Sequence, residues 1–375
     1  MKICLHDNEK QKDFYPLTLT RPVGNLRMGI FTNDERWKFL SSELEISWGS
    51  ELTSISKKFN SDTSAVQVNG CVIASKDLLN ALITLPANST LKNGNLWLAT
   101  SGAGEEQIEY AGDDLVSIEH RWHLYQKNGE VLSADFDLIQ ENATSRQLSA
   151  SNTIIGDPNM IFLEEGAKVE AAILNTTSGP IYIGENAEIM EGSIVRGPLA
   201  MCSNSALKLG AKIYGPTTLG PHCKVGGEVT NSILYAYSNK GHDGFLGNSL
   251  VGEWCNLGAD TNTSNLKNNY GMVKSHSYAT GKQEDTNTQF MGLVMGDHSK
   301  CGINTMFNTA TVVGVSSNVF GAEFPPKFID SFVWGSQGEK YDFDRALISA
   351  NNMMKRRGLT LTDDEIAILR HISDN

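Results

Sequence analysis

Aliphatic residues recur at every sixth position over a long central stretch of the chain. The positions are Ile183, Ile189, Val195, Met201, Leu207, Ile213, Leu219 and Val225. The same step returns further on at Met295, Cys301, Phe307, Val313 and Val319. Neither the 3.6-residue period of a helix nor the two-residue period of a strand gives this spacing. It predicts a hexapeptide repeat, in which three short strands and turns close one coil of a parallel β-helix and the sixth positions stack inside it.

The six-residue step breaks just after Val225, and Phe245, Val251 and Leu257 resume it. A solenoid accommodates insertions as loops, and loops commonly carry function, so we expect the break to hold chemistry. It contains His242, which glycines flank and whose type of side chain takes up a proton near neutral pH. A polar turn histidine without a role is the alternative interpretation.

Short apolar segments and helical patterns alternate in residues 1–150, which favours an α/β domain. Ser75 is the predicted N-cap of one of these helices. Arg21 and Arg27 lie in a short stretch that also holds two glycines, and guanidinium groups with accessible backbone amides suit phosphate binding. A polar connection with solvated or paired arginines explains them equally. Asp135 and Asp137 share one face if they lie on a strand, where they would either bind Mg²⁺ or end the strand in solvent.

The composition of the chain argues against several classes of protein. The chain has 375 residues, 35 of them glycine, with a formal net charge of −12 and an isoelectric point near 5.2, which argues against nucleic acid as a partner. Its six cysteines form no C-x-x-C pair, so we expect reduced thiols in a cytoplasmic protein. We find no apolar signal-peptide core and no apolar run long enough to span a membrane.

The first domain resembles the shortened sugar nucleotidyltransferase domain of an alternative bacterial form of the bifunctional enzyme that makes UDP-N-acetylglucosamine. The resemblance rests on Pro16–Thr18, Arg21-Pro22, Leu26–Ile30, Trp122, Asn128–Glu130 and Asp135-Phe136. The usual G-x-G-T-R signature is absent. The resemblance implies that Arg21 and Arg27 bind the nucleotide phosphates, with Mg²⁺ as the cofactor of an active domain.

The second domain resembles the acetyltransferase half of hexapeptide sugar-1-phosphate N-acetyltransferases. The residues that carry it are Lys240–His242, Phe245–Gly247, Cys255–Thr261, Asn265 and the segment from Gly292 to Thr309. The resemblance implies that His242 is the general base and that Asn265 contacts the sugar. Phe245 and Thr230 stand where relatives carry a tyrosine and a lysine.

Further roles follow from the same resemblance. Lys240 and Lys267, with Phe245, are then expected at the sugar phosphate. Acetyl-CoA is the expected co-substrate, and the four residues expected to bind it are Gly302, Ile303, Gly321 and Lys327. The basic end of a helix predicted over 343–357 either meets the CoA phosphates or complements the helix dipole. A zinc site of the carbonic anhydrase kind, built from His222, His242, His276 and His298, is a rival use of the fold.

We therefore predict an α/β domain over 1–150, a left-handed β-helix over 151–335 and a helical tail over 336–375. The tail includes a second helix opened by a capping box at Thr362–Glu365. The resemblance implies N-acetylation of glucosamine-1-phosphate by acetyl-CoA in a homotrimer, with uridylyl transfer from UTP as a second activity that an active first domain would add. The alternatives are a nucleotidyltransferase with a structural β-helix, and a non-catalytic scaffold that binds sugar nucleotides.

Overall fold

The computed structural model describes residues 1–113, 115–335 and 338–375. They form two compact units. The α/β unit contains Met1–Leu26, Phe31–Arg121 and Thr362–Asn375, and the solenoid unit contains Arg27–Ile30 and Trp122–Leu361. These units differ from the predicted domains, because residues 122–150 belong with the solenoid and the last helix with the α/β unit. Residues 336 and 337 of the predicted tail lie outside the described residues.

The first 142 residues supply both units with regular elements. In chain order they are β1 (Lys2–His6), β2 (Arg27–Met28), β3 (Phe31–Thr32), α1 (Asn33–Leu40), β4 (Glu45–Gly49), β5 (Val66–Asn69), α2 (Lys76–Ile83), β6 (Ser89–Asn93), β7 (Leu96–Thr100), β8 (Glu106–Glu109), α3 (Arg121–Gln126) and α4 (Asn128–Asn142). The sheet of the α/β unit has the strand order β4-β1-β5-β7-β6-β8. Strand β1 pairs in parallel with β4 and β5, so the carboxyl ends of these three strands share one edge.

Apolar side chains on β1 and its helices form the core of the α/β unit. Ile3, Leu5, Trp37 and Leu78 are fully buried in it. Helix α2 begins as predicted, because the Ser75 hydroxyl accepts a hydrogen bond from the Leu78 N–H at 3.1 Å. The α/β class of the first part of the chain is therefore confirmed.

The solenoid unit is built from coils of three short parallel strands. The first face contains Ile161–Leu163, Ile181–Ile183, Leu199–Met201, Thr217–Leu219, Ile233–Leu234, Leu250–Val251, Val294–Met295, Val312–Val313 and Phe328–Ile329. The second contains Lys168–Val169, Glu188–Ile189, Ala206–Leu207, Lys224–Val225, Asn239–Lys240, Asn256–Leu257, Lys300–Cys301, Asn318–Val319, Val333–Trp334 and Glu339–Lys340. The third contains Thr153–Ile155, Ile173–Asn175, Ile194–Arg196, Lys212–Tyr214, Glu228–Thr230 and Phe245–Gly247, followed by the separate pair Asn262–Thr263 and Met306–Phe307. An antiparallel hairpin, Lys274–Ser277 with Lys282–Asp285, extends the loop after Thr263.

The six-residue pattern is the interior of this solenoid. All eight aliphatic positions from Ile183 to Val225 are at most 2% exposed, and the later run from Met295 to Val319 is at most 5% exposed. The hexapeptide β-helix prediction is thus confirmed. The predicted register after the break is corrected, because Leu246, not Phe245, points inward and pairs with Val229.

Two helices follow the solenoid strands, α5 (Phe343–Lys355) and α6 (Asp363–Asp374). Both confirm the sequence prediction. Helix α6 has the predicted capping box, in which the Thr362 hydroxyl accepts from the Glu365 N–H and the Glu365 carboxylate accepts from the Thr362 N–H. Its Ile368 is buried in the core of the α/β unit.

Removing this cap is expected to destabilise the α/β unit. Because Thr362→Ala removes the capping hydroxyl that accepts from the Glu365 N–H, we expect a loss of about 1 kcal/mol in the free energy of unfolding, measured by urea titration. Thr360 is exposed two residues earlier, and Thr360→Ala is the matched control with no expected effect. Equal stability of the two variants would contradict the capping role.

All six cysteines are buried, and their thiols are free. Within the described residues, we find no helix that combines the length and the apolarity needed to cross a bilayer.

Candidate functional site

His242 lies on an exposed loop directly after the strand Asn239–Lys240. Gly244 closes the loop with a backbone φ of +109°, and a Cβ there would come within 2.2 Å of the Thr261 carbonyl oxygen. Only glycine satisfies both constraints. The loop therefore folds tightly against the next coil and leaves the imidazole in solvent.

A column of glycines runs along the solenoid beside this histidine. On the second face of each coil one side chain points into the solenoid, and the residue after it belongs to the column. In order along the axis, these residues are Lys208, Gly226, Gly241, Gly258, Gly302 and Phe320. A Cβ on Gly258 would lie 2.5 Å from the Gly302 carbonyl, so no side chain fits between these two coils, whereas a Cβ on Gly241 would meet nothing within 4 Å. Glycine on four consecutive coils leaves a row of positions without side chains between Lys208 and Phe320, and we call this row the glycine channel.

The next position of each coil forms a second column, which contains His242. Its neighbours along the axis are Gly227 in the preceding coil and Ala259 in the following one, so a small residue lies on each side of it along the axis. Ile303, 72% exposed, lies two coils from His242, which is about 10 Å at the spacing of β-strands. The predicted acetyl-CoA residues Gly302, Ile303 and Gly321 thus lie in the same two columns as the histidine loop.

Lys240 does not lie at the surface, where a residue that binds the sugar phosphate would have to be. It occupies the inward position of its coil opposite Val225 and is 2% exposed. Its Nζ donates to the Gly226 carbonyl at 3.1 Å and to the His242 carbonyl at 2.6 Å. Desolvation by the surrounding core lowers its pKa to about 8, against the opposing charges of Asp243 and Asp260. The predicted phosphate contact is therefore corrected to a buried backbone contact.

Asn265 is held by a residue whose role the sequence did not reveal. Its Nδ2 donates to the Asn248 Oδ1 at 2.7 Å, and Asn248 is buried with a φ of +48°. A Cβ on Gly247 would meet the Phe245 ring at 2.6 Å and the Asn265 amide at 2.7 Å. Phe245, Gly247 and the two asparagines therefore form one cluster. The signal available in the sequence was an asparagine directly after a strand, the residue type that best tolerates a left-handed backbone.

Lys267 and Lys327 approach each other on the late part of the solenoid unit. The Lys267 Nζ donates to the Met272 carbonyl at 2.8 Å, and the Lys327 Nζ lies 3.4 Å from the Thr309 hydroxyl. Burial, and then the positive charge of Lys267, lowers the pKa of Lys327. Neither ammonium has a carboxylate within 4.0 Å among the described residues. Two lysines whose charges act on each other, without a nearby carboxylate among the described residues, suit an anionic group.

A separate open cavity of about 800 Å³ lies in the α/β unit at the carboxyl ends of β1 and β4. This edge of a parallel sheet is the general location of ligands in α/β folds. The cavity is lined by His6, Asp7, Asn8, Glu9, Gln11, Lys12, Gly49, Ser50, Glu51, Gln67, Trp97 and Thr100. The Trp97 ring meets the His6 ring edge to face at 6.1 Å.

Asp7 is the most perturbed acid of this cavity. Its Oδ1 accepts from the Val23 N–H at 2.7 Å, while its buried Oδ2 accepts no hydrogen bond of ordinary length from the described residues. Burial raises the pKa of Asp7 to about 6, with the nearby Ser50 hydroxyl and the Val23 N–H opposing the rise. A buried carboxylate oxygen without a donor is suited to a cation, and Mg²⁺ commonly uses one or two carboxylates together with substrate phosphates.

The predicted nucleotide-binding arginines do not line this cavity among its described residues. Arg21 is buried within the α/β unit. Arg27 belongs to the solenoid unit, where its Nη1 donates to the Ile30 carbonyl at 2.7 Å and its N–H donates to the Tyr235 hydroxyl at 3.1 Å. A buried guanidinium bonded to the main chain stabilises that fold, and the prediction for Arg27 is corrected accordingly.

The predicted metal pair is also corrected, because Asp135 and Asp137 lie on helix α4 rather than on a strand. Residues two apart on a helix do not share a face. Asp135 is 1% exposed and accepts from the Ile30 N–H at 2.8 Å, whereas Asp137 is exposed. These two carboxylates do not fit a shared Mg²⁺, and Asp7 fits it better.

The histidines considered for zinc do not converge within one chain. We find no group of three His, Cys, Asp or Glu residues suited to a metal in the part of the chain that the structure describes. His222 stacks on Tyr237 at 4.8 Å, and His276 stacks on Phe328 at 3.6 Å. These rings therefore serve packing in the solenoid unit.

Replacing Asp7 with asparagine tests the electrostatics of the cavity. A raised carboxyl pKa means that the folded state disfavours the negative charge of Asp7. The charged group therefore lowers the free energy of unfolding above pH 6, and this destabilisation disappears as the pH falls towards 4. We expect Asp7→Asn to raise the free energy of unfolding at pH 7.5 by up to about 3 kcal/mol, and to leave it unchanged at pH 4. Urea titrations at both pH values measure this difference.

Asp113, which is exposed, provides the control substitution. Asp113→Asn is expected to leave the stability unchanged at both pH values. A stabilisation by Asp7→Asn that is the same at pH 4 and pH 7.5 would contradict the electrostatic origin.

Comparison with known proteins adds the following. Residues 3–144 match the family model described as sugar nucleotidyl transferase. The chain is 24% identical to the bifunctional protein GlmU of Synechococcus elongatus over 49% of its own length and 41% of that protein. It is also 24% identical to GlmU of Trichormus variabilis, over 56% of this chain and 49% of the relative. These matches confirm the resemblance indicated by the sequence. The matched segment spans less than half the length of each of these relatives.

Two solved structures match the chain with low sequence identity and low TM-scores. One is the Arabidopsis UDP-N-acetylglucosamine acyltransferase, 14% identical over 57% of this chain and 78% of that chain, with a TM-score of 0.23. Another is the polysialic-acid-specific acetyltransferase NeuO, 8% identical over 56% of this chain and all of that chain, with a TM-score of 0.30.

Proposed function

We propose that the solenoid unit transfers an acetyl group from acetyl-CoA to the amine of glucosamine-1-phosphate. The observation that carries this proposal is an exposed histidine, flanked by small residues, beside a channel of four glycines on consecutive coils. The similarity of part of the chain to GlmU proteins supports a transferase. A channel without side chains suits an extended pantetheine arm, and the histidine beside it suits proton transfer.

The proposed reaction needs one base and a positioned amine. A neutral amine nitrogen attacks the thioester carbonyl, and His242 takes the proton that the nitrogen loses. The carbon–sulfur bond then breaks, and the proton passes from His242 to the leaving thiolate, so that an amide and free CoA result. The oxyanion formed in between needs hydrogen-bond donors, which backbone amides of the turns can supply.

The other solenoid residues position the substrates. Asn265, fixed by Asn248, would orient the sugar beside the imidazole. Lys267 and Lys327 would bind an anionic group of either substrate. We further propose that three chains complete the site as a homotrimer, and light scattering of the full chain at several concentrations tests that assembly.

The α/β unit is proposed to bind a nucleotide and to carry out uridylyl transfer. The observation that favours this second activity is the cavity at the carboxyl ends of β1 and β4, with the buried Oδ2 of Asp7. Asp7 would hold a Mg²⁺ ion, which would neutralise nucleotide phosphates when bound. Trp97 offers an apolar surface to a base or a sugar ring.

Two assays on the full chain separate the activities. Thiol released from acetyl-CoA in the presence of glucosamine-1-phosphate reports acetyl transfer, and pyrophosphate released from UTP and N-acetylglucosamine-1-phosphate reports uridylyl transfer. Thiol release without pyrophosphate would restrict the function to the solenoid unit. Pyrophosphate without thiol release would indicate a nucleotidyltransferase with a structural solenoid. If neither product forms but a sugar nucleotide binds in calorimetry, the protein is a non-catalytic scaffold.

A further inference from the structure

A lysine occupies a position of the solenoid interior that the repeat otherwise fills with apolar residues. Lys240 lies opposite Val225 in the preceding coil, and Leu257 takes the equivalent position in the following one. Both neighbours are at most 2% exposed, as is Lys240 itself. A buried ammonium group is costly unless its hydrogen bonds are made. A methionine would fill the same volume without that cost.

The ammonium group of Lys240 is directed at the main chain of the histidine loop. Its Nζ donates to the His242 carbonyl at 2.6 Å and to the Gly226 carbonyl of the preceding coil at 3.1 Å. Charge-assisted hydrogen bonds of this length are strong. The ammonium thus links His242 to the coil before it.

Backbone hydrogen bonds hold the residues after the histidine, because the Asp260 N–H donates to the Asp243 carbonyl at 3.1 Å and the Glu228 N–H donates to the Gly244 carbonyl at 3.2 Å. On the other side Gly241 directly precedes the histidine, and a Cβ there would meet nothing within 4 Å, so packing does not confine the backbone at that point. The His242 ring is exposed and makes no hydrogen bond to the described residues. Among the described residues, the bond from Lys240 is the one made to the His242 carbonyl itself, so it restrains the residue that carries the imidazole.

We propose that Lys240 is a positioning residue, which holds His242 beside the glycine channel from inside the solenoid. This proposal rests on the proposed acetyl transfer. It assigns the lysine neither to the substrate nor to the proton transfer. Because burial lowers the pKa of Lys240, the core disfavours its charge, so the residue is expected to reduce stability while it supports activity.

Lys240→Met in the full chain tests the proposal. We expect kcat for thiol release to fall at least about tenfold, since small displacements of a catalytic group have effects of this size. The KM for acetyl-CoA is expected to stay within about twofold, because the channel is unchanged. The melting temperature is expected to stay the same or to rise.

Lys300→Met is the matched control. The Lys300 Nζ likewise donates to a histidine carbonyl, that of His298, at 2.8 Å, but that histidine is not on the proposed reaction path. We expect this variant to keep the wild-type kcat. If Lys240→Met lowers the melting temperature and the activity together, the role is structural and the proposal is overturned. An unchanged kcat in Lys240→Met overturns it as well.

A measurement without catalysis separates this inference from the proposed function. Hydrogen exchange of the amides in residues 241–244 is expected to be faster in Lys240→Met than in the wild type, while the amides of the strand Leu250–Val251 keep their protection. Unchanged exchange in the loop would overturn the inference. Absence of thiol release by the wild type would instead overturn the acetyl transfer, whatever the exchange shows.

Discussion

Replacing His242 with alanine is expected to reduce acetyl transfer to glucosamine-1-phosphate by about 10²–10⁴-fold, the usual contribution of a positioned general base. The loop geometry rests on glycines and on backbone contacts of Lys240, so the fold should tolerate the change. Steady-state thiol release measures the loss, and we expect it in kcat rather than in the KM for acetyl-CoA. Circular dichroism should show an unchanged melting temperature.

His371 supplies a matched control, because it is also exposed but lies on helix α6 of the α/β unit. His371→Ala is expected to keep full acetyl transfer. If His242→Ala keeps more than about half of the wild-type rate, another group is the base and the proposed mechanism is wrong.

Replacing Ile183 with alanine is expected to lower the free energy of unfolding of the solenoid unit by about 2–5 kcal/mol. Ile183 is fully buried between Leu163 and Met201 of the adjacent coils. A coil held by stacking on both sides cannot collapse easily around a cavity. Thermal unfolding followed by the β-sheet circular dichroism signal measures the effect.

The repeat offers its own control for this substitution. Ile194 is 50% exposed on the third face, and Ile194→Ala is expected to cost about 1 kcal/mol or less. Equal losses from the two changes would mean that the sixth positions do not form the interior. In a linear repeat, the coils next to the substitution should lose stability before the others do. Hydrogen exchange should therefore rise most in the coils next to residue 183.

The sequence located the histidine loop without showing what lies beneath it. After Val225 the next inward residue, Val229, follows at a step of four residues rather than six. Leu234 then follows at a step of five. These shorter steps shift the register, so that Lys240 points inward and Leu246 replaces Phe245 in the core. No period read along the chain foresees such a shift, because the packing of neighbouring coils decides it.

Helix α4 shows a signal that was present in the sequence. Apolar residues at Val131, Leu132, Phe136 and Ile139 follow a helical period and are buried. The pair Asp135 and Asp137 suggested a strand only when it was considered apart from these neighbours. The wider window therefore predicts the helix, and with it the separation of the two carboxylates.

The sequence by itself determined the solenoid, its interior positions and the last two helices, because a repeat and a capping box are local patterns. It also located His242, since the interruption of the period is visible along the chain. Only the tertiary structure decided that Lys240 is buried beneath that loop, that Asn248 fixes Asn265, and that Asp7 lies at the open edge of the α/β sheet. These contacts join residues through the stacking of coils and the pairing of strands, and the energies that select them arise between segments rather than within one.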